Sequence, residues 1–487
     1  MSAIAYGHPC YQSGGGSEDC LFLNLWTTFL PAHGGAPAKD LKPVMLWIHG
    51  GGYTSGTAND PTFDGGNIAS RGDVVLVACN YRLGALGFLA LNDGVTMGNY
   101  GLGDAINALD WVRRNIHDFG GDPERITVFG QSAGAASVRA IMASPKAKGK
   151  FKAAIPMSNL GGGGYGEMYS SWMSLHTAVS TAKPILEATN CTTATSQVDC
   201  LRAVPALTLF TGTLGSAARY LVVDGIYVKE DQLPLGASAK GSLSDVHLLQ
   251  GLMRDDGAAI TSYIQTTNIS QAIGADGFNT SVVVNSGLFP IPESANKTLN
   301  VFNVTARVAT DTIFRCSDEA SAYAGLVNDV FAPNQYFYEF NRSYQTPNWN
   351  PNAPVCQAPV TAGHPNGDPD QEYFKCHSGE LYYIFGTITR MGYPLRDEND
   401  LWFEQFILDT WTSFARTYDP NPAQDFLRAR GYAYTSKALQ DSGLWPPLSA
   451  SKAGGLAARL LQMSSRQVPF QDTAQCAALG WPIELYS

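Results

Sequence analysis

Ser132 stands in Gly130-Gln131-Ser132-Ala133-Gly134, a G-x-S-x-G pentapeptide. The apolar run Ile126 to Phe129 comes just before it and helical character from Ala133 to Met142 just after. That context, more than the pentapeptide, gives the motif its meaning. A serine on so sharp a strand-to-helix turn needs small flanking residues, because larger ones would strike the crossing strand and helix. The turn lifts the hydroxyl out of the sheet and sets it at a helix N-terminus, where partial positive charge favours an oxyanion. The bland alternative is a structural serine in a tight turn. A serine hydroxyl is a poor nucleophile until a base takes its proton, and that base needs an orienting acid. Of eight histidines, His377 stands late in the chain, in Cys376-His377-Ser378-Gly379-Glu380-Leu381, ahead of an aromatic run. Asp256 lies between the two, after the strand-like run His247 to Leu252 and before Gly257. Each has its bland alternative too, since Asp before Gly is commonly a turn residue and most histidines catalyse nothing. Gly50-Gly51-Gly52 follows another short apolar run. Glycines let backbone N–H groups approach a developing negative charge with no Cβ in the way. The amide of Ala133, next after the serine, adds a further donor. This set of residue types is that of acyl transfer through a covalent intermediate.

The elements that must position these residues are legible as short buried strands alternating with helices. Pro43 to Ile48, Val74 to Cys79 and Ile126 to Phe129 read as strands, and His247 to Leu252 and Gln335 to Phe340 as later ones. Leu102, Ile106, Leu109, Val112 and Ile116 fall at helical spacing, and Asp122-Pro123 reads as a turn. Such alternation implies an α/β fold with a mostly parallel sheet covered on both faces. The order Ser132, Asp256, His377 is the one expected for an α/β-hydrolase sheet. Residues 160–245 and 258–334 are mixed and rich in Gly, Ser, Thr and Asn. They read as insertions decorating a single domain over 1–487, with no internal repeat and no linker long enough to divide it. Other chemistries lack their motifs. No G-x-x-x-x-G-K-[ST] phosphate loop is present, no G-x-G-x-x-G at a strand-to-helix junction, and no Cys/His zinc spacing. The acid-rich run His364 to Glu372 does not fit an EF-hand loop and reads as a solvated turn. No metal or organic cofactor is expected.

The chain has 487 residues, of which 45% are apolar and 15% charged, enough for a large core and too few charges for disorder. Its 32 Lys plus Arg against 42 Asp plus Glu give a net charge of −10, which disfavours nucleic acid as a partner. No stretch reaches the ~18 uninterrupted apolar residues of a membrane helix. Val74 to Leu91 comes nearest and is broken by Asn80 and Arg82, so the chain reads as soluble. Nine cysteines point to an oxidising compartment, with Cys10 and Cys20, and Cys191 and Cys200, close enough to close short loops. N-x-S/T sequons at Asn190, Asn268, Asn279, Asn296, Asn303 and Asn341 support secretion and glycosylation modestly. Residues 1–20 show no signal peptide, so for a secreted product either that segment was removed or this chain is not the whole gene product.

These residues resemble one family, the type-B carboxylesterase/lipases that include the cholinesterases, and most of all a fungal secreted member. SEDCLFLN (17–24), WIHGGGY (47–53), NYRLGALGFL (80–89) and above all GDAINALDWVRRNIHDFGGDPERITVFGQSAGA (103–135) carry the likeness. It thins afterwards to GLMRDDG (251–257), CHSGELYYIFG (376–386) and WTSFARTYDPNP (411–422). The resemblance implies an α/β-hydrolase fold and a serine carboxylic-ester hydrolase. Ser132 would be its nucleophile, His377 its base and Asp256 its acid, with Gly51, Gly52 and Ala133 as oxyanion donors. Asp256 falls where the family usually has Glu, and Gln131 where many relatives have Glu beside the nucleophile. Glu380 resembles a carboxylate that supports the site. The resemblance further implies disulfides Cys10–Cys20, Cys191–Cys200, Cys316–Cys476 and Cys356–Cys376, with Cys79 free and buried. The family's strand-rich segment before its first cysteine, including FxGIPYAxPP, is absent, which leaves truncation or missing first strands as expectations. Tyr11 to Asp19, between the first two cysteines, is nine residues long, includes Gly14 to Gly16 and holds no tryptophan. In lipases of the family that loop is a long lid, and in cholinesterases it bears a tryptophan that binds the cationic head group. An esterase for dispersed short-to-medium acyl substrates is therefore expected, with a lipase or sterol esterase, or a non-catalytic binding protein, as alternatives.

Overall fold

The computed structural model describes residues 5–30, 40–161, 170–243, 245–345, 349–449 and 456–487. The described residues fall into two compact units. One lies within Met1–Ala69, Asp73–Pro156 and Glu167–Pro234, the other within Ser70–Gly72, Met157–Gly166 and Leu235–Ser487.

In the first unit the strands are β1 (Leu23–Trp26), β2 (Lys42–Ile48), β3 (Val75–Cys79), β4 (Gly121–Gln131) and β5 (Ala153–Met157), in spatial order β1-β3-β2-β4-β5. β2 runs parallel to both β3 and β4, with Val44 opposite Val75 and Trp47 opposite Phe129. β3 and the Val44 to Ile48 stretch of β2 are unbroken apolar runs because both of their faces are covered, and Val44 to Ile48 are fully buried. β1 is antiparallel to β3, four residues long and mostly half-buried, the short form that suits an edge strand. The helix Tyr100–Asn115 buries Leu102, Ile106, Leu109 and Val112 on one face, as their spacing predicts. Two short strands, β6 (Met173–Ser174) and β7 (Val222–Val223), pair separately. The expected turn at Asp122-Pro123 is instead part of β4, whose pairing with β2 shifts between Lys42 and Val44. That irregularity admits proline, which cannot donate to a regular ladder. Asp122 nevertheless folds back as a turn residue does, accepting from Glu124 N at 2.9 Å and Arg125 Nε at 2.7 Å.

In the second unit β8 (His247–Met253) is parallel to β9 (Gln335–Phe340), β9 to β10 (Ala457–Leu461), and β10 turns back antiparallel to β11 (Arg466–Pro469). Helix Glu398–Thr417 starts where Asp397 accepts from Asp400 N, and its Trp411 sits among Tyr338 and Phe340 of β9. Within 258–334 the chain is largely helical. Helix Lys297–Thr310 continues through a π-helical turn, Asp311–Arg315, into helix Cys316–Val327. Among the described residues no helix is long and apolar enough to cross a membrane.

Candidate active site

Ser132 sits between β4 and helix Ala133–Ala143 with φ 60° and ψ −127°, a conformation that costs a non-glycine residue energy and that the surrounding structure must enforce. The reason for small neighbours is explicit. A Cβ on Gly130 would lie 2.5 Å from Gly134 O, and one on Gly134 only 2.1 Å from Ile48 O. The Ala133 amide is at the first turn of its helix, where backbone donors have no intrahelical partner. Gly50 lies against the same turn, since a Cβ there would meet Gln131 O at 2.8 Å and the Ser132 Cβ at 3.0 Å. Gly51 and Gly52 follow with φ 110° and 61°, where a side chain is disfavoured. The glycine loop and the serine elbow are thus adjacent within the first unit.

Three residues with no assigned role in the sequence reading shape that loop. The His49 ring stacks on Tyr81 at 4.4 Å, and Tyr81 donates its hydroxyl proton to His49 O at 2.8 Å. Burial pushes the His49 imidazole down to about 4, so it stays neutral and adds no charge beside the glycines. Gln12 grips the far end of the loop, with Nε2 donating to Gly56 O and Oε1 accepting from Gly56 N, both at 3.1 Å. WIHGGGY marked the loop in sequence, but nothing in spacing could connect Gln12 to it. Gln131 is buried beside the serine.

In the second unit Asp256 begins a helical turn just past β8 and is fully buried. Its Oδ2 accepts from Met253 N at 2.8 Å, and its Oδ1 lies 2.6 Å from His377 Nδ1. Gly257 lets helix Lys297–Thr310 come close, for a Cβ there would lie 2.4 Å from Thr310 N. The adjacent Asp255 faces elsewhere, accepting from Lys375 N and Arg254 Nε at 2.8 Å each. His377 is 2% exposed. Phe314, from the π-helical turn, and Trp349 contact its ring at centroid distances of 5.1 and 5.3 Å. Glu380 is buried with neither carboxyl oxygen hydrogen-bonded, and burial, then the Asp256 charge, lifts it to about 8. It is a neutral acid at pH 7. Among the described residues no group of three or more His, Cys, Asp or Glu could hold a metal ion.

The disulfides are Cys10–Cys20, Cys191–Cys200, Cys316–Cys476 and Cys356–Cys376. Cys79 is a buried free thiol raised to about 12 by burial. The sequon residues divide by environment. Asn190 is exposed, and exposed Asn268, Asn279 and Asn296 each cap a helix through the side-chain oxygen. Asn303 is half-buried inside helix Lys297–Thr310, and Asn341 donates to Gln462 at 2.7 Å while accepting from Arg254.

The model of the carboxylesterase family matches residues 3–468. The chain belongs to the carboxylesterase family. Its α/β-hydrolase fold and its class, carboxylic-ester hydrolase, follow from that membership and from its structural likeness to an esterase. A solved PNB esterase superposes with a TM-score of 0.69 at 26% identity, covering 98% of this chain and 88% of that one. Bile salt-activated lipase of Bos taurus is 32% identical over 460 residues, covering 86% of this chain and 70% of that protein. Neuroligin-2 of Homo sapiens is 31% identical over 448 residues, covering 83% of this chain and 49% of its own length. The chain thus spans about half of that relative.

Proposed function

We propose that this carboxylesterase hydrolyses short-to-medium acyl esters through an acyl-enzyme, with Ser132 as nucleophile, His377 as base and Asp256 as orienting acid. The observation that carries the reading is the buried Asp256–His377 pair at 2.6 Å. Asp256 holds the proton on Nδ1 and leaves Nε2 to accept one from Ser132 Oγ. The hydroxyl oxygen attacks the ester carbonyl, and the amides of Gly51, Gly52 and Ala133 donate to the tetrahedral oxyanion. His377 passes its proton to the leaving alcohol as the C–O bond breaks. It then takes a proton from water, which attacks the acyl-enzyme, and returns it to Ser132 as the carboxylic acid leaves. The whole chain acts as a single hydrolase domain with insertions at 160–245 and 258–334. Its disulfides and exposed sequons support secretion as a glycoprotein, testable by the mass lost on enzymatic deglycosylation.

Stoichiometric labelling by an organophosphonate, abolished in Ser132→Ala, tests the reading directly. Ser132→Ala and His377→Ala should each lower kcat on p-nitrophenyl butyrate by on the order of 10⁴-fold or more while keeping the native circular dichroism spectrum. Retention of a tenth of wild-type turnover by Ser132→Ala would show the nucleophile to be misassigned. An unlabelled wild-type chain would favour a non-catalytic binding role, the reading that likeness to a neuroligin brings. Likeness to a lipase keeps lipid esters as the second reading, and a panel of p-nitrophenyl esters of increasing chain length separates them.

A further inference from the structure

We infer that Trp349 forms the alcohol-side wall of the substrate site and selects esters with an aryl or similarly flat apolar leaving group. The inference rests on the assignment of His377 as the base that protonates the leaving alcohol. With Nδ1 engaged by Asp256, the proton must leave from Nε2, so the departing oxygen has to come within hydrogen-bond distance of this imidazole. A side chain that borders the imidazole and keeps free surface is therefore placed to border the alcohol. Phe314 and Trp349 both contact the imidazole, and they are not equivalent. Phe314 is fully buried, tilted 39° to the imidazole, and has no free surface to offer. Trp349 stands edge-on at 68° and is 37% exposed, so part of its indole is open to an incoming molecule.

The indole is also held in register with the histidine. Gln345 Nε2 donates to Trp349 O at 2.8 Å and to His377 O at 3.1 Å, so one side-chain amide ties the two backbones together. The Cys356–Cys376 disulfide closes the chain between them, ending one residue before His377. Asn352 Nδ2 fixes the intervening segment to Ala258 O at 2.8 Å and Thr261 O at 2.6 Å, on the turn that carries Asp256. A large apolar side chain left this exposed loses the hydrophobic gain of burial, which a flat apolar ligand restores. Glu380, buried and protonated, provides no negative charge there for a cationic alcohol.

The test compares phenyl butyrate, ethyl butyrate and butyrylcholine, which share one acyl group, on wild type, Trp349→Ala and Trp349→Phe. In Trp349→Ala the ratio of kcat/KM for the phenyl over the ethyl ester should fall by about tenfold, the size of one lost aromatic contact. Trp349→Phe should recover part of it. A purely structural role would depress both esters in proportion, so an unchanged ratio overturns the assignment, as does a wild-type preference for butyrylcholine. Binding of 2-naphthol, followed by saturation-transfer NMR, needs no turnover and should weaken about tenfold in Trp349→Ala. Naphthol binding untouched by the substitution overturns the role of Trp349 whatever the turnover. Naphthol binding that depends on Trp349 in a chain that cleaves no ester overturns the esterase reading instead.

Discussion

Adjacent aspartates with opposite surroundings give the sharpest expectation for single residues. Asp256 holds the His377 imidazole, whereas Asp255 holds backbone and Arg254. Asp256→Asn should lower kcat by roughly 10³–10⁴-fold, because an amide stabilises neither the right tautomer nor the imidazolium. Asp255→Asn should cost stability and little turnover, and a larger turnover loss there than at Asp256 would refute the assignment. Glu380 makes a different statement. Its folded-state value is raised from 4.5 to about 8, so between those values the folded chain keeps a proton that the unfolded chain has released. Stability attributable to this group is full below the lower value and declines as pH rises towards the upper one. Glu380→Gln cannot ionise. Its unfolding free energy from urea titration should therefore match wild type near pH 4.5 and exceed it near pH 8.5, by on the order of a few kcal/mol. A constant difference across that range would show that the carboxyl ionises freely. Asp311, raised to about 8 chiefly by burial, keeps the same slope in both proteins.

Among elements, the glycine loop depends on a brace from another part of its unit. Gly56 has φ 103° and backs Gly50, whose carbonyl a Cβ at 56 would meet at 2.5 Å. Gln12 holds Gly56 through both of its amide atoms. Removing that grip should loosen amides that act only when negative charge develops. Gln12→Ala should lower kcat by about tenfold with KM little changed, the pattern of an interaction made in the transition state. A boronic-acid transition-state analogue should lose affinity in parallel. Unchanged kcat, or a rise in KM alone, would assign Gln12 to loop stability only.

Substrate access is a property of the whole molecule. The Cys10–Cys20 loop turns back on itself, with Gln12 and Gly15 exchanging backbone hydrogen bonds at 3.0 and 2.9 Å, while Tyr11 stacks on Phe210. Since each residue spans at most ~3.6 Å and the loop must return, it has no length to serve as a lid. The rate on tributyrin should therefore saturate below the solubility limit, with no jump at emulsion formation. A jump would mean that another segment, within 258–334, covers the site.

The sequence by itself determined the family, the strand–serine–helix elbow, the glycine loop, the order of the proposed triad and the two short cysteine loops. These follow from local causes: buried apolar runs, residues that must be small where chains cross, and motifs dense enough to recognise. The sequence named Asp256 through chain order and family resemblance, but why it and not its neighbour meets His377 is a tertiary matter, because Asp255 and Asp256 are chemically identical and differ only in where the turn after β8 points them. Tertiary structure alone decided that Glu380 is a neutral acid, since burial rather than residue type sets its proton affinity. Gln12 reaches Gly56 from 44 positions away, and Phe314 and Trp349 reach His377 from separate segments. No periodicity in a chain records such contacts, because they form only when distant elements pack.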